Sequence, residues 1–179
     1  MIRKLVLLIL LIPYVFFSSY AQELPKENKW TDLERLAEIP RFDFRLDFTY
    51  ANILGLSYEY YKTTDPEWAL YEARFLSYFI SSFNAEASIG KWPHSLGYRT
   101  SDEYSMVLQI SHVARTGSHV YANLYVFNQN GQIFFYRPVE AKKGRIGSVC
   151  NLMGDALNAL GHDVGRRFYY NAVYKSKKN

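Results

Sequence analysis

Between Lys142 and Gly165 the chain reads KKGRIGSVCNLMGDALNALGHDVG, and this run holds the residues best placed to do chemistry. Lys143, Gly144, Arg145, Gly147 and Ser148 form a glycine-containing loop that leaves a strand and opens a helix. The first turn of a helix presents unbonded N–H groups with a partial positive charge behind them. Lys142, Lys143 and Arg145 add full charges, so an anionic group or small ligand could rest there, with Ser148 as a further donor. The spacing matches neither G-x-x-x-x-G-K-[ST] nor G-x-G-x-x-G.

Cys150, the chain's one cysteine, falls near the start of the same helix, where a thiolate would be favoured. Its partner would be His94, His112, His119 or His162, none of which stands in a recognisable local signature. A lone cysteine within an apolar helix reads first as a small core residue. His112 and His119 are separated by a turn and could pair across a hairpin, but two histidines without a third ligand make a poor zinc site. The carboxylates are scattered, with no pair placed for glycoside chemistry. No catalytic residue, metal or cofactor is therefore assigned. A small hydrolase with an unrecognised site remains one alternative, and an anion- or small-ligand-binding protein centred on residues 142–148 is another.

The elements around this run follow from periodicity. Thr31-Asp32-Leu33-Glu34 has the form of a capping box before a short helix stopped by Pro40. Phe42, Phe44, Leu46, Phe48 and Tyr50 alternate with Asp43, Arg45, Asp47 and Thr49, as a half-buried strand requires. Residues 51–63 read as a loop with some extended structure. Asp65-Pro66-Glu67 starts a helix whose stripe is Trp68, Tyr71, Phe75, Leu76, Phe79, Ile80 and Phe83. A loop over 88–103 leads to a strand at 104–111, a strand apolar on both sides at 119–127, an Asn130-Gly131 hairpin turn and a strand at 132–139. Pro138 marks the end of that strand or an edge position. The last helix opens near Ser148 and carries Val149, Leu152, Met153, Ala156, Leu157, Leu160, Val164 and Phe168 at helical spacing. Glycine costs about 1 kcal/mol per helix position relative to alanine. The glycines spaced through this helix therefore imply close backbone approach to the sheet or to another subunit. Together these elements predict an α/β (α+β) two-layer sandwich: a mainly antiparallel sheet of about 4–5 strands, with two long helices on one face.

The 179 residues suit one domain, and 49% apolar against 21% charged residues supply a core. Residues 1–21 read as a signal peptide: Arg3-Lys4, an apolar run from Leu5, Pro13, then Ser19 and Ala21 as the small residues at the cleavage site. Residues 22–40 are a leader with a short helix, 41–174 the α/β domain, and 175–179 a basic tail. Loss of Arg3 and Lys4 takes the net charge from +4 to +2, which gives little long-range pull on nucleic acid. No stable membrane span is expected after cleavage, and no cysteine near the site could carry a lipid anchor. A single cysteine forms no intrachain disulfide, so the core must hold the fold.

From Tyr104 to Phe168, the strand pair, the Asn130-Gly131 turn, the exit through Gly144, Gly147 and Ser148, and the closing helix with Leu160-Gly161 and Val164-Gly165 resemble the CsgG/TolB-N-terminal-like group of envelope proteins and related bacterial lipoprotein families. The resemblance implies a non-enzymatic, periplasmic or secreted interaction module that binds an envelope protein or associates with itself. Export is checked by N-terminal sequencing of the protein from the envelope or medium. Gln22 as the first residue is the expected result, and an intact Met1 on cytosolic protein would refute it.

Overall fold

A computed structural model describes residues 25–39, 41–89, 95–98, 103–114 and 116–174. Residues 1–21, expected as a signal peptide, residues 175–179, expected as a basic tail, and His94 lie outside them. A 3-10 helix, Trp30–Leu36, precedes β1 (Arg41–Asp47), β2 (Asn52–Ile53), β3 (Leu56–Ser57), α1 (Tyr58–Thr64), α2 (Trp68–Ile89) and β4 (Ser95–Gly97). Then come β5 (Tyr104–Val113), β6 (His119–Asn128), β7 (Ile133–Lys142), α3 (Val149–Phe168) and a closing π-helical turn, Tyr169–Tyr174.

The fold is the expected α+β sandwich, built on one seven-stranded sheet. β5, β6 and β7 form the antiparallel meander, and β1 lies parallel between β4 and β5. That parallel pairing requires a crossover, which α1 and α2 supply. The sheet exceeds the expected four to five strands because β2, β3 and β4 have only two or three residues each, too few to show a period.

Local chemistry moves several boundaries. The capping box lies two residues earlier than expected: Asp32, not Glu34, accepts the amide of its cap, Lys29, at 2.9 Å. β1 stops at Asp47 because that carboxylate takes the Thr49 amide at 2.8 Å and turns the chain, leaving Tyr50 81% exposed rather than on the dry face. Residues 58–64, expected as loop, are helical, with the Ser57 hydroxyl accepting the Tyr60 amide. α2 runs on to Ile89, and β4 occupies part of the expected 88–103 loop. Asp65 caps α2 as expected, accepting the Glu67 amide at 2.8 Å. Gly131, at φ 73°, turns the β6–β7 hairpin. Pro138 is an edge residue in a strand that continues to Lys142, on the outermost long strand of the sheet.

Alternate residues of the sheet face the helices: Phe42 and Phe44 on β1, Met106, Leu108 and Ile110 on β5, Val120 to Val126 at every second position on β6, and Phe135 on β7. They pack on Phe75, Phe79 and Phe83 of α2 and on Met153, Leu157, Leu160 and Phe168 of α3. The Phe44 and Phe79 rings stack at 4.6 Å, and Phe168 meets Phe42, Phe83 and Phe135 edge-on. Among the described residues no helix is long and apolar enough to cross a membrane.

The helical glycines face α2, not the sheet. A Cβ at Gly161 would lie 2.6 Å from the Phe79 carbonyl oxygen and against the Ser82 hydroxyl, and one at Gly165 would lie 2.7 Å from the Phe83 carbonyl oxygen. Because these contacts are to backbone, a methyl group cannot be absorbed by a rotamer change. Alanine would gain about 1 kcal/mol of helix propensity, but overpacking costs roughly 1–3 kcal/mol, and a backbone clash sits at the upper end. Gly161→Ala is therefore expected to lower unfolding free energy by about 2 kcal/mol, net of propensity. Urea denaturation at constant m checks it, with the exposed Ser77→Ala on α2 expected to change stability by only a few tenths of a kcal/mol.

Candidate functional site

The 142–148 loop is shaped by its own chain. β7 ends at Lys142, the Lys143 amide donates to the Ser118 carbonyl at 2.9 Å, and Gly144 adopts φ 82°. The space beside Gly144 is filled by Leu152 and Asp155, whose carboxylate oxygen would lie 3.1 Å from a Cβ there. Gly147 packs against the Asn151 side chain. Ser148 is the N-cap of α3: its hydroxyl accepts the Asn151 amide at 3.3 Å, and its carbonyl accepts the Leu152 amide at 3.0 Å. Arg145 and Ile146 are exposed, Ile146 at 92%. The five residues thus stay contiguous, with an anion of the protein's own, Asp155, already beside them.

Cys150 is fully buried. Its thiol donates to Asp65 Oδ2 at 3.8 Å, and the Tyr61 hydroxyl donates to the same oxygen. Asp65 thereby ties α1, the start of α2 and the start of α3 together. Burial pushes the thiol up to about 12, and the nearby Asp65 and Glu67 carboxylates add to the shift. Burial, then the bond to Asp65, raises Tyr61 as well. A thiol held neutral in this way is no nucleophile. The three described histidines are placed elsewhere: His162 Nδ1 lies 3.0 Å from Glu86, His119 Nε2 lies 3.2 Å from Glu140, and the His112 ring lies 5.7 Å from that of Tyr121. Among the described residues no group of three His, Cys, Asp or Glu side chains could hold a metal ion.

The sheet itself carries the most distinctive surface. Both long helices lie on one side, and the other row of the long strands carries no helix among the described residues, although Asp43, Tyr125 and Tyr136 within it are buried. β1 presents Asp43, Arg45 and Asp47 there, and β5 presents Ser105, Val107, Gln109 and, after a bulge, His112. β6 contributes His119, Tyr121, Asn123, Tyr125 and Phe127, and β7 contributes Tyr136, Pro138 and Glu140. The rings pack along the sheet: Tyr125 lies 5.0 Å from Tyr136 and stacks on Phe127 at 5.7 Å, while His119 stacks on Tyr121 at 4.1 Å. Polar groups join the rows. The Tyr136 hydroxyl donates to Asn123 at 3.3 Å, Gln109 donates to Asp47 at 3.3 Å, and Arg45 pairs with Asp43 at 3.2 Å. Burial pushes Asp47 up, but bonds from the Thr49 hydroxyl and amide and from Gln109 outweigh it and hold the carboxyl below its usual range.

Two open grooves cross this face. One of about 690 Å³ runs between Asp43, Arg45, Ser105, Val107, Phe127 and the 128–131 turn. The other, about 410 Å³, lies between Ser111, Tyr121, Asn123, Pro138 and Glu140. The sequence signal for this face was the run 119–127, apolar on both sides: one side is core and the other is this surface. Its extent across β1, β5 and β7 is set by strand pairing, which no single segment shows.

Fold and surface together define a two-layer α+β domain with one sheet face that no described helix covers. No family model matches the chain, and no curated protein matches it. Two similar solved structures are an uncharacterised protein (14% identity, TM-score 0.35, covering 51% of this chain and 62% of that one) and protein XCC0632 from Xanthomonas campestris, of the DUF330 family (8% identity, TM-score 0.34, covering 54% of this chain and 64% of that one). The chain spans less than two thirds of either structure's length.

The buried Cys150 thiol and the half-buried Tyr58 hydroxyl set a pH dependence. Cys150 rises from 9.0 to about 12, and Tyr58, desolvated and bonded to Glu72, rises from 10.0 to about 12. Raised acids of this kind stabilise the fold fully below their unfolded values, and the contribution is lost as pH climbs through the folded ones. The melting temperature is expected to hold up to about pH 9 and to fall between there and pH 12, with Cys150→Ala removing the earliest part of the decline. In the native protein a thiol-selective disulfide reagent at neutral pH should leave Cys150 unlabelled and react fully once denaturant is added.

Proposed function

We propose that this chain is a non-enzymatic, exported interaction and assembly module of the bacterial envelope, and that its bare sheet face receives a partner envelope protein. One observation carries the reading: among the described residues this face is aromatic and polar and is crossed by open grooves that reach neither Ser148 nor Cys150. Surfaces that meet other proteins are rich in Tyr, Phe and Arg within a polar rim; here Tyr121 and Phe127 are the accessible rings, Arg45, Asp47 and Glu140 form the margins, and Tyr125 and Tyr136 are buried against their neighbours. Small-molecule sites are concave and enclose their ligand, which these grooves do not. The resemblance of residues 104–168 to the CsgG/TolB-N-terminal-like group favours the same role, and the amino-terminal segment with its Ser19-x-Ala21 site favours export.

The test places a photo-crosslinking amino acid at Tyr121 or Val107 on the bare face and at Ser77 on α2, in cells that export the protein. Adducts of one discrete mass from the face positions, absent from the Ser77 position, are the expected result. An adduct of twice the protein's own mass would instead identify self-association. No adduct from the face, or equal adducts from the helix, would overturn the proposal.

A further inference from the structure

The sheet has a stretch of open edge beside β1. β4 pairs with β1 only over Arg41–Asp43, and it ends at Gly97, opposite Asp43. At Leu96 both backbone groups turn away from β1: the N–H donates to Asn84 Oδ1 and the carbonyl accepts from Asn84 Nδ2, each at 2.9 Å. In a parallel pair the residue opposite such a position turns its own groups inward, so Phe42 faces β4, and Phe44 and Leu46 point the same way. Leu46 lies beyond the end of β4, and no described strand meets its N–H and C=O on that side. Elsewhere the chain closes its edges: Asn84 covers Leu96 on β4, and Asn28 covers Tyr136 on β7, where its amide donates to the Tyr136 carbonyl and its side-chain oxygen accepts the Tyr136 amide. An uncovered edge is a template for pairing with another chain, and β1 presents one beside two that are covered.

A groove of about 440 Å³ runs along this edge. β1 from Phe44 to Thr49 forms one wall, and Tyr58, Glu72 and Leu76 stand opposite. Leu46 and Leu76 are half-buried, so each keeps apolar surface for a side chain on an added strand. The cations nearby are engaged. Arg45 pairs with Asp43 at 3.2 Å, Lys62 pairs with Glu59 at 2.6 Å beneath its contact with the Tyr58 ring, and Arg74 lies over the Tyr71 ring at 5.5 Å. Asp47 and Glu72, by contrast, meet only neutral donors among the described residues: Asp47 accepts from Thr49 and Gln109, and Glu72 accepts the Tyr58 hydroxyl at 2.8 Å. Both carboxylates act on that hydroxyl. Burial raises its pKa most, the bond and charge of Glu72 come next, and the charges of Glu59 and Asp47 add to them.

We infer that this edge is a strand-addition site for a basic segment of a partner protein, which pairs with Leu46 in line with β4, sets an apolar side chain against Leu46 and Leu76, and brings a lysine or arginine to Asp47 and Glu72. Peptides that add to a sheet edge draw affinity from main-chain hydrogen bonds and selectivity from the pockets that take alternate side chains. Opposite charge across the contact then rejects acidic segments of the same shape. The open edge runs from Phe44 to Asp47, away from the rings of β6 and β7, so the site stands whether or not the bare face receives a partner.

The probe is a capped peptide of about six residues, alternating lysine and valine, titrated into the purified protein and followed through backbone amide NMR shifts. Saturable shifts centred on Leu46 and Asp47 are expected, with slowed hydrogen exchange at the Leu46 amide. The same peptide N-methylated along its backbone cannot pair with an edge, and a glutamate–valine peptide carries the wrong charge; each is expected to bind at least about tenfold more weakly. Asp47→Asn with Glu72→Gln is expected to weaken the lysine–valine peptide roughly tenfold, and Ser77→Ala, on the outer face of α2, to leave it within about twofold. The two control peptides on the unaltered protein keep the test decisive if the double variant fails to fold. No saturable shift at Leu46 up to about 5 mM peptide, equal binding of the N-methylated peptide, or a folded double variant that binds as before would each overturn the inference. So would the same shifts on concentrating the protein alone, which would make a second copy of the chain the occupant.

Discussion

The approach of α3 to α2, backbone on backbone, is the constraint from which the remaining architecture follows. Gly154, Gly161 and Gly165 share one face of α3, and opposite them stand Tyr78, Phe79, Ser82 and Phe83. A helix pair separated by ordinary side chains would stand about 8–10 Å apart; at Gly161 and Gly165 there is no side chain to hold them off. Two long helices can therefore lie side by side on one surface of the sheet. Their remaining apolar stripes, Phe75 and Phe83 on one and Leu157 and Phe168 on the other, then reach the strands below.

Crowding both helices onto one side leaves the second side without a helix among the described residues, which is unusual for a sheet with parallel strands, since crossover helices ordinarily cover both faces. The chain meets this locally. On β1 the outward positions are Asp43, paired with Arg45, and Asp47, bonded to Gln109, whereas on β6 and β7 the Tyr125 and Tyr136 rings pack at 5.0 Å and are buried. The outer edge of β7 is managed separately. Pro138 removes a donor from it, and Asn28 binds Tyr136 through both its backbone and its side chain, so further strand addition is blocked at the centre of the edge.

Long periodic segments were legible before any coordinates: β1, α2, the β5–β6–β7 meander and α3 all follow from alternation or helical spacing. Elements of two or three residues were not, because a period needs more positions than β2, β3 or β4 possess. The glycines of α3 could be read as a packing device, yet the sequence could not show that their partner is α2, since that depends on the pairing order of strands distant in the chain. The same is true of the bare face. Tyr121 and Tyr125 stand out within β6, but Arg45 and Val107 join them only through the parallel register of β1 and β5. Cys150 was correctly weighed as core, while Asp65, read only as a helix cap, turned out also to bind Tyr61 and Cys150.

Asp65 also shows how a helical layer can be fixed without a disulfide. One carboxylate accepts the Glu67 amide from its own turn, the Tyr61 hydroxyl from α1 and the Cys150 thiol from α3. Its position at the junction of three helices anchors the end of the layer opposite to Phe168, where rings from α2, α3, β1 and β7 converge. Between these two points the glycine contacts set the spacing, so the layer is held at both ends and in the middle by different chemistry. With the helix layer fixed in this way, the sheet beneath it needs no second layer for support. Its other side, which carries no helix among the described residues, is then an aromatic and polar surface of packed rings and paired charges.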